Sequence, residues 1–209
     1  IDSGAFAACN ALNRVDITDL VAWCQLETYH TNSATSAAPL YYAKNLYLNG
    51  ELVSGELVIP EGVTKIGFCA FYGCKEITSV VLPESLTSIE GYAFYECSGL
   101  TSIILPDNVT QLGGASFQGC SGLTSVSFGK NPISSNGTGY YATNSSVFEG
   151  CTNLKKVINN DRIATIVYNN AFKSCYNLMK KGRITAEEAA EELGISEEEF
   201  NMEVNKLLA

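Results

Sequence analysis

The reactive side chains in this chain of 209 residues are eight cysteines and one histidine. A cysteine nucleophile needs a histidine base, a third group to orient it, and donors for the developing oxyanion. Cys24 and His30 stand six residues apart, and with Cys69 they are the whole material for a thiol enzyme. No orienting residue or oxyanion site accompanies them, and His30, in a polar stretch, reads as a solvated loop residue. Metal binding fares no better. Cys69 and Cys74 are five apart, and no pair has the C-x-x-C spacing that zinc ligands favour. Carboxylates are scattered, and no glycine-rich phosphate loop occurs. The expectation is a protein that is not an enzyme, with no cofactor and no metal.

Six of the cysteines share one phrase, F-x-x-C-x-x-[L/I]. It runs Phe6-Cys9-Leu12, Phe71-Cys74-Ile77, Phe94-Cys97-Leu100, Phe117-Cys120-Leu123, Phe148-Cys151-Leu154 and Phe172-Cys175-Leu178. The steps from Phe71 to Phe94 and to Phe117 are 23 residues each, followed by 31 and 24. A cysteine fixed at one place in a repeat is a packing residue, a small hydrophobe expected to lie reduced and buried in a ladder. Cys69 sits at a variable repeat position and is expected to be the most exposed thiol.

The elements that carry this phrase are short strands. Each Leu or Ile opens an alternating run, such as Ile77-Thr-Ser-Val80-Val81-Leu82-Pro83, and a second pair follows at Val63/Ile66, Leu86/Ile89 and Val109/Leu112. Two β-type runs bounded by Pro and Gly within 23 residues describe one coil of a solenoid. One coil cannot bury its apolar face, but stacked coils share a continuous core, with strands roughly 4.8 Å apart.

The string IPEGVTKIGFCAFYGCKEITSVVLPESLTSIEGYAFYECSGLTSIILPDNVT resembles the BspA-like, Treponema-type leucine-rich repeats of bacterial surface proteins. The likeness runs over residues 54–178, and residues 1–17 look like part of one more coil. The expected fold is an α/β repeat protein: a leucine-rich-repeat solenoid of 23-residue coils, with a helix and hairpin insertion at 18–53 and a C-terminal helical cap at 179–209. The chain opens in mid-repeat, so an upstream continuation is expected.

In the insertion, Thr18-Asp19 is expected to cap a helix through Leu20–Leu26, and Asn49-Gly50 to turn a hairpin of type I′. Its aromatics Trp23, Tyr29, Tyr41, Tyr42 and Tyr47 are expected to pack on the solenoid, with a glycan-stacking surface as the alternative. A Gly/Ser/Asn-rich stretch from Lys130 to Ser146 is expected to be an exposed loop presenting Tyr140 and Tyr141, side chains suited to contact surfaces. In the tail, Thr185–Glu188 and Ser196–Glu199 are capping boxes, which predict two helices.

A surface remains as the working part. With Val80 and Leu82 inward, Ser79 and Val81 point out, and the repeat extends this to Glu56/Val58, Ser102/Ile104, Ser125/Ser127, Lys156/Ile158 and, at the first coil, Arg14/Asp16. The resemblance implies a concave sheet face used for binding. The expected function is therefore adhesion-type interaction with an unknown protein or glycan, host-derived or bacterial, at the cell surface or outside the cell. A structural spacer holding up another domain is the alternative. A net charge of −9 argues against a nucleic-acid partner, and no apolar run approaches the ~18 residues of a membrane span.

Overall fold

The computed structural model describes residues 5–27, 38–129, 131, 146–158 and 196, with residues 156–158 described by their backbone. In chain order the elements are β1 (Val15–Ile17), α1 (Leu20–Cys24), α2 (Pro39–Ala43), β2 (Leu46–Leu48), β3 (Glu51–Leu52), β4 (Gly55–Val58), β5 (Lys65–Ile66), β6 (Ile77–Val81), β7 (Ser88–Ile89), β8 (Ser102–Ile104), β9 (Gln111–Leu112), β10 (Ser125–Ser127) and β11 (Lys156–Ile158).

Two parallel sheets run along the stack of coils. The first has the order β11-β10-β8-β6-β4, and the second has the order β5-β7-β9. Three coils therefore carry both of their strands among the described residues, and β10 and β11 extend the first sheet. Because each coil repeats its predecessor, the register steps by one repeat: Leu57 faces Val80, and Ser79 faces Ser102. Successive corner turns bond in the same direction, Phe71 N–H to Ala93 O at 2.8 Å and Phe94 N–H to Ser116 O at 2.8 Å. Glycine is required where coils approach most closely. A Cβ on Gly99 would lie 2.2 Å from the Lys75 carbonyl oxygen.

The core is a set of ladders. Phe71, Phe94, Phe117 and Phe148 are buried and stack ring on ring, with centroids 5.2, 5.3 and 5.4 Å apart. Each such pair contributes about 0.5–1.5 kcal/mol beyond the area it buries. Beside them the cysteines do more than fill space. Cys97 Sγ donates to Phe71 O at 3.0 Å, Cys120 Sγ to Phe94 O at 3.1 Å, and Cys151 Sγ to Phe117 O at 3.2 Å. Each thiol thus ties its own corner to the corner of the coil before it. Threonines do the same at the strand ends, Thr101 Oγ1 to Thr78 O at 3.1 Å and Thr124 Oγ1 to Thr101 O at 2.9 Å.

The described coils hold strands and turns and no helix, so their architecture is a β-solenoid rather than the expected α/β type; the helices described lie in the insertion. The reason is local. Each corner contains two residues in the left-handed region, Cys69 and Gly73, then Tyr92 and Glu96, then Ala115 and Gly119, and such residues cannot continue a right-handed helix. The expected helical cap at 179–209 lies outside the described residues, apart from Ser196.

The insertion forms as its sequence predicts at both ends. Asp19 caps α1, accepting from Ala22 N–H at 3.0 Å. Asn49 and Gly50, both at positive φ, join β2 to β3 as an antiparallel hairpin. Between them α2, with Pro39 in its first turn, was not expected. The insertion closes over the first full coil. Cys24, Leu40 and Leu46 are buried, Gly67 N–H donates to Cys24 O at 2.7 Å, and Trp23 Nε1–H donates to Ala70 O at 2.8 Å. On its far side β2 pairs in parallel with β1, so residues 15–17 belong to a separate sheet of order β1-β2-β3.

Candidate interaction surface

Strand alternation sorts the side chains of the larger sheet. Leu57, Val80, Ile103 and Val126 are buried, whereas Val58, Val81 and Ile104 are 54, 46 and 70 % exposed. Register aligns these outward residues across the strands: Val58 faces Val81, Ile104 faces Ser127, and Ser127 faces Ile158. A second row lies two residues earlier along each strand. Glu56 faces Ser79, Ser79 faces Ser102, Ser102 faces Ser125, and Ser125 faces Lys156.

The structure thus gathers Ser79, Val81, Ser102, Ile104, Ser125 and Ser127 on one face. Lys156 and Ile158 hold the matching strand positions in β11. Tyr140 and Tyr141 lie outside the described residues, as do Tyr29 and His30. Arg14 and Asp16, expected to begin the outward rows, do not join them. Asp16 lies within β1, opposite Tyr47, and Arg14 just before it; the two bond each other at 2.6 Å, with the Arg14 guanidinium 3.7 Å from the centre of the Tyr47 ring.

Burial keeps five of the described thiols protonated at neutral pH. Burial pushes Cys24 and Cys74 up to about 12 and raises Cys69, Cys97 and Cys120 well above the ordinary thiol value. Cys69, expected to be exposed, is 1 % exposed. The insertion is the cause: Trp23, Leu26, Ala38 and Pro39 line the same crevice as Cys69.

Two features were missed in the sequence. One is a tyrosine strip at the corners, where Tyr72 and Tyr95 stack at 4.8 Å and Tyr41 of the insertion joins Tyr72 at 5.3 Å. Lys44 pairs with Glu96 at 3.6 Å beside it. The 23-residue step from Tyr72 to Tyr95 was the available signal. The other is a line of acidic residues just past the outward row, Glu61, Glu84 and Asp107, which the same step also spaces. A cleft of about 220 Å³ opens where the hairpin meets the first full coil, between Leu46, Leu52, Gly73 and Lys75. It is smaller than the ~300–1,000 Å³ usual for a ligand pocket.

The family described as the BspA type leucine rich repeat region matches residues 44–179 in six copies. The chain belongs to that family. The BspA-type match takes in the β2–β3 hairpin as well as the regular coils. Among solved structures, a leucine-rich cell surface protein from Faecalibacterium prausnitzii A2-165 is similar at 22 % identity, with a TM-score of 0.41, over 70 % of this chain and 31 % of its own. The pneumococcal vaccine antigen PcpA is similar at 25 % identity and TM-score 0.42, over 69 % and 29 %. The T. pallidum leucine rich repeat protein is similar at 23 % identity and TM-score 0.37, over 76 % and 62 %. The chain spans about a third of the length of the first two of these structures. No curated protein matches it.

Proposed function

We propose that this BspA-type domain is a non-catalytic interaction module of a bacterial surface or secreted protein, and that it binds a macromolecule through the outward face of the β4–β11 sheet. The observation that carries the reading is the row Val58, Val81 and Ile104, three large apolar side chains side by side and between 46 and 70 % open to water. Isolated exposed apolar residues are ordinary, but neighbours in register form a contact strip. The backbone beneath is held by coil-to-coil bonds, so the strip is presented without a backbone ordering cost at binding. The hydroxyl row beside it supplies short polar groups able to donate and accept.

The test is a binding screen of the chain against extracellular-matrix proteins, secreted host proteins and glycans, repeated with Val81→Glu and Ile104→Glu combined. The expected result is a saturable hit that the double variant loses while its melting curve stays in place. A hit indifferent to the double variant would move the site elsewhere. A blank from folded protein would favour the spacer role.

A further inference from the structure

We infer that the occupant of this strip is a cationic protein segment: two or three adjacent β-branched or aromatic side chains bordered by lysine or arginine. The inference rests on the binding reading above and adds the chemistry of the partner.

Its basis is what borders the apolar row. Each strand that contributes to the row runs on through the same sequence, Val58-Ile-Pro-Glu61, Val81-Leu-Pro-Glu84 and Ile104-Leu-Pro-Asp107. An acidic residue therefore follows every apolar one at three residues, a Cα separation of no more than about 11 Å. That is about one Debye length at moderate salt, so the acids act on anything seated on the row. The loops carrying them are stacked and tied. Gly62 N–H donates to Ser85 Oγ at 3.0 Å, and Asn108 Nδ2 donates to Glu84 O at 2.8 Å. The backbone positions that carry these like charges are thereby held one coil apart, about 4.8 Å.

The acidic line ends at Asp107, since the next 23-residue step falls on Lys130; beside Glu61 and Glu84 the described cations lie elsewhere. Lys75 precedes β6 at the opposite end of the strands, and Lys155 and Lys156 stand at β11, beyond Ser127. Lys65 and Lys44 are engaged by Glu27 and Glu96. A partner with acids beside its apolar ridge would meet repulsion at this border, and one with lysines would be steered onto it. The extent of the row sets the partner's size. Three side chains one coil apart span roughly 10 Å, room for two or three side chains. The strip is an open sheet face rather than a cavity, which suits a segment of a protein.

The probes are three acetylated and amidated peptides: alternating Lys/Val, alternating Glu/Val and alternating Lys/Ser. Binding is followed by fluorescence anisotropy at low and moderate salt. The full chain is compared with Ile104→Ser and with Glu61→Gln and Glu84→Gln combined. Serine already stands at the Ile104 position in β10, as Ser127, so the fold accommodates the first variant. The expected result is that Lys/Val binds at least about tenfold tighter than either other peptide, weakens with salt, and loses about tenfold on Ile104→Ser. The double glutamine variant is expected to lose a few-fold, about three to ten.

Equal binding of Lys/Val and Glu/Val, both needing Ile104, overturns the cationic partner and leaves the strip as a charge-blind docking site. Equal binding of Lys/Val and Lys/Ser overturns it in favour of non-specific charge attraction. Self-association through Ile104, seen by light scattering, overturns it in favour of a second copy. No binding of any peptide also overturns it, while the broader binding reading is judged by the protein and glycan screen.

Discussion

The thiol ladder makes a sharp prediction, because a buried cysteine can act as a small hydrophobe or as a hydrogen-bond donor, and the two roles rank substitutions in opposite order. Cys97 is fully buried and donates to Phe71 O at 3.0 Å. Cys97→Ala removes one heavy atom from a closed core, a loss of about 0.5–1.5 kcal/mol by comparison with single-methyl deletions. It also removes one hydrogen bond, worth about 1 kcal/mol net. The acceptor is not orphaned, since Phe71 O still receives Cys74 N–H at 3.2 Å, so no larger desolvation penalty follows. The expected cost of alanine is therefore about 2 kcal/mol. Cys97→Ser keeps a donor aimed at the same carbonyl, and its shorter reach is expected to limit the cost to about 1 kcal/mol. Urea unfolding of both variants, compared through the midpoint at constant slope, reads the difference. If serine costs as much as alanine or more, the sulfur acts as a hydrophobe only, and the donor role assigned to the ladder is wrong. Cys120, bonded to Phe94 O, is an internal repeat of the test.

Three more outcomes follow from the coils. Ser116 Oγ is buried with no partner where the equivalent residues of neighbouring coils are Ala70, Ala93 and Val147, so Ser116→Ala should stabilise the chain by about 1 kcal/mol in the same urea assay. Glu96 sits at φ 55° where three other coils place Gly73, Gly119 and Gly150, and its ion pair with Lys44 is exposed. Glu96→Gly should then raise the melting temperature, relieving about 1 kcal/mol of left-handed strain against a weaker pair; a fall would show the pair to be the stronger term. Among the described thiols, an aromatic disulfide reagent at pH 8 should label half-buried Cys9 and leave Cys24, Cys69, Cys74, Cys97, Cys120 and Cys151 untouched until the chain unfolds. Because burial raises these acids, the folded state holds protons that the unfolded chain gives up. Stability is then full below the ordinary thiol value of 9.0 and falls as pH rises toward about 12, which an alkaline titration followed by circular dichroism checks.

What could be read in advance was whatever the repeat enforces. A residue that recurs every 23 positions, such as Phe71, Phe94 and Phe117, must meet its own copies, and strand alternation then puts Val81 and Ile104 outside. The Asp19 cap and the Asn49-Gly50 turn were legible because their chemistry is local. Contacts between the insertion and the coils were not, since no periodicity links them. Cys69 looked variable and therefore exposed, and it is the insertion, through Trp23 and Pro39, that covers it. The donor role of the cysteines was hidden for another reason. A free thiol is equally at home as a hydrophobe, and only the position of the preceding carbonyl distinguishes the two uses.

The bonds that tie each corner to the one before it all run along the direction of stacking, from Phe71 to Ala93, Phe94 to Ser116 and Phe117 to Val147. A tether pulling on the two ends loads these contacts in series, one coil against the next, and leaves the weakest junction to give first. Each detached coil of 23 residues would then release roughly 75 Å of slack chain while its neighbours stayed intact. The domain would lengthen under tension in discrete steps, as a shock absorber does, and recoil by restacking on a template that never unfolded.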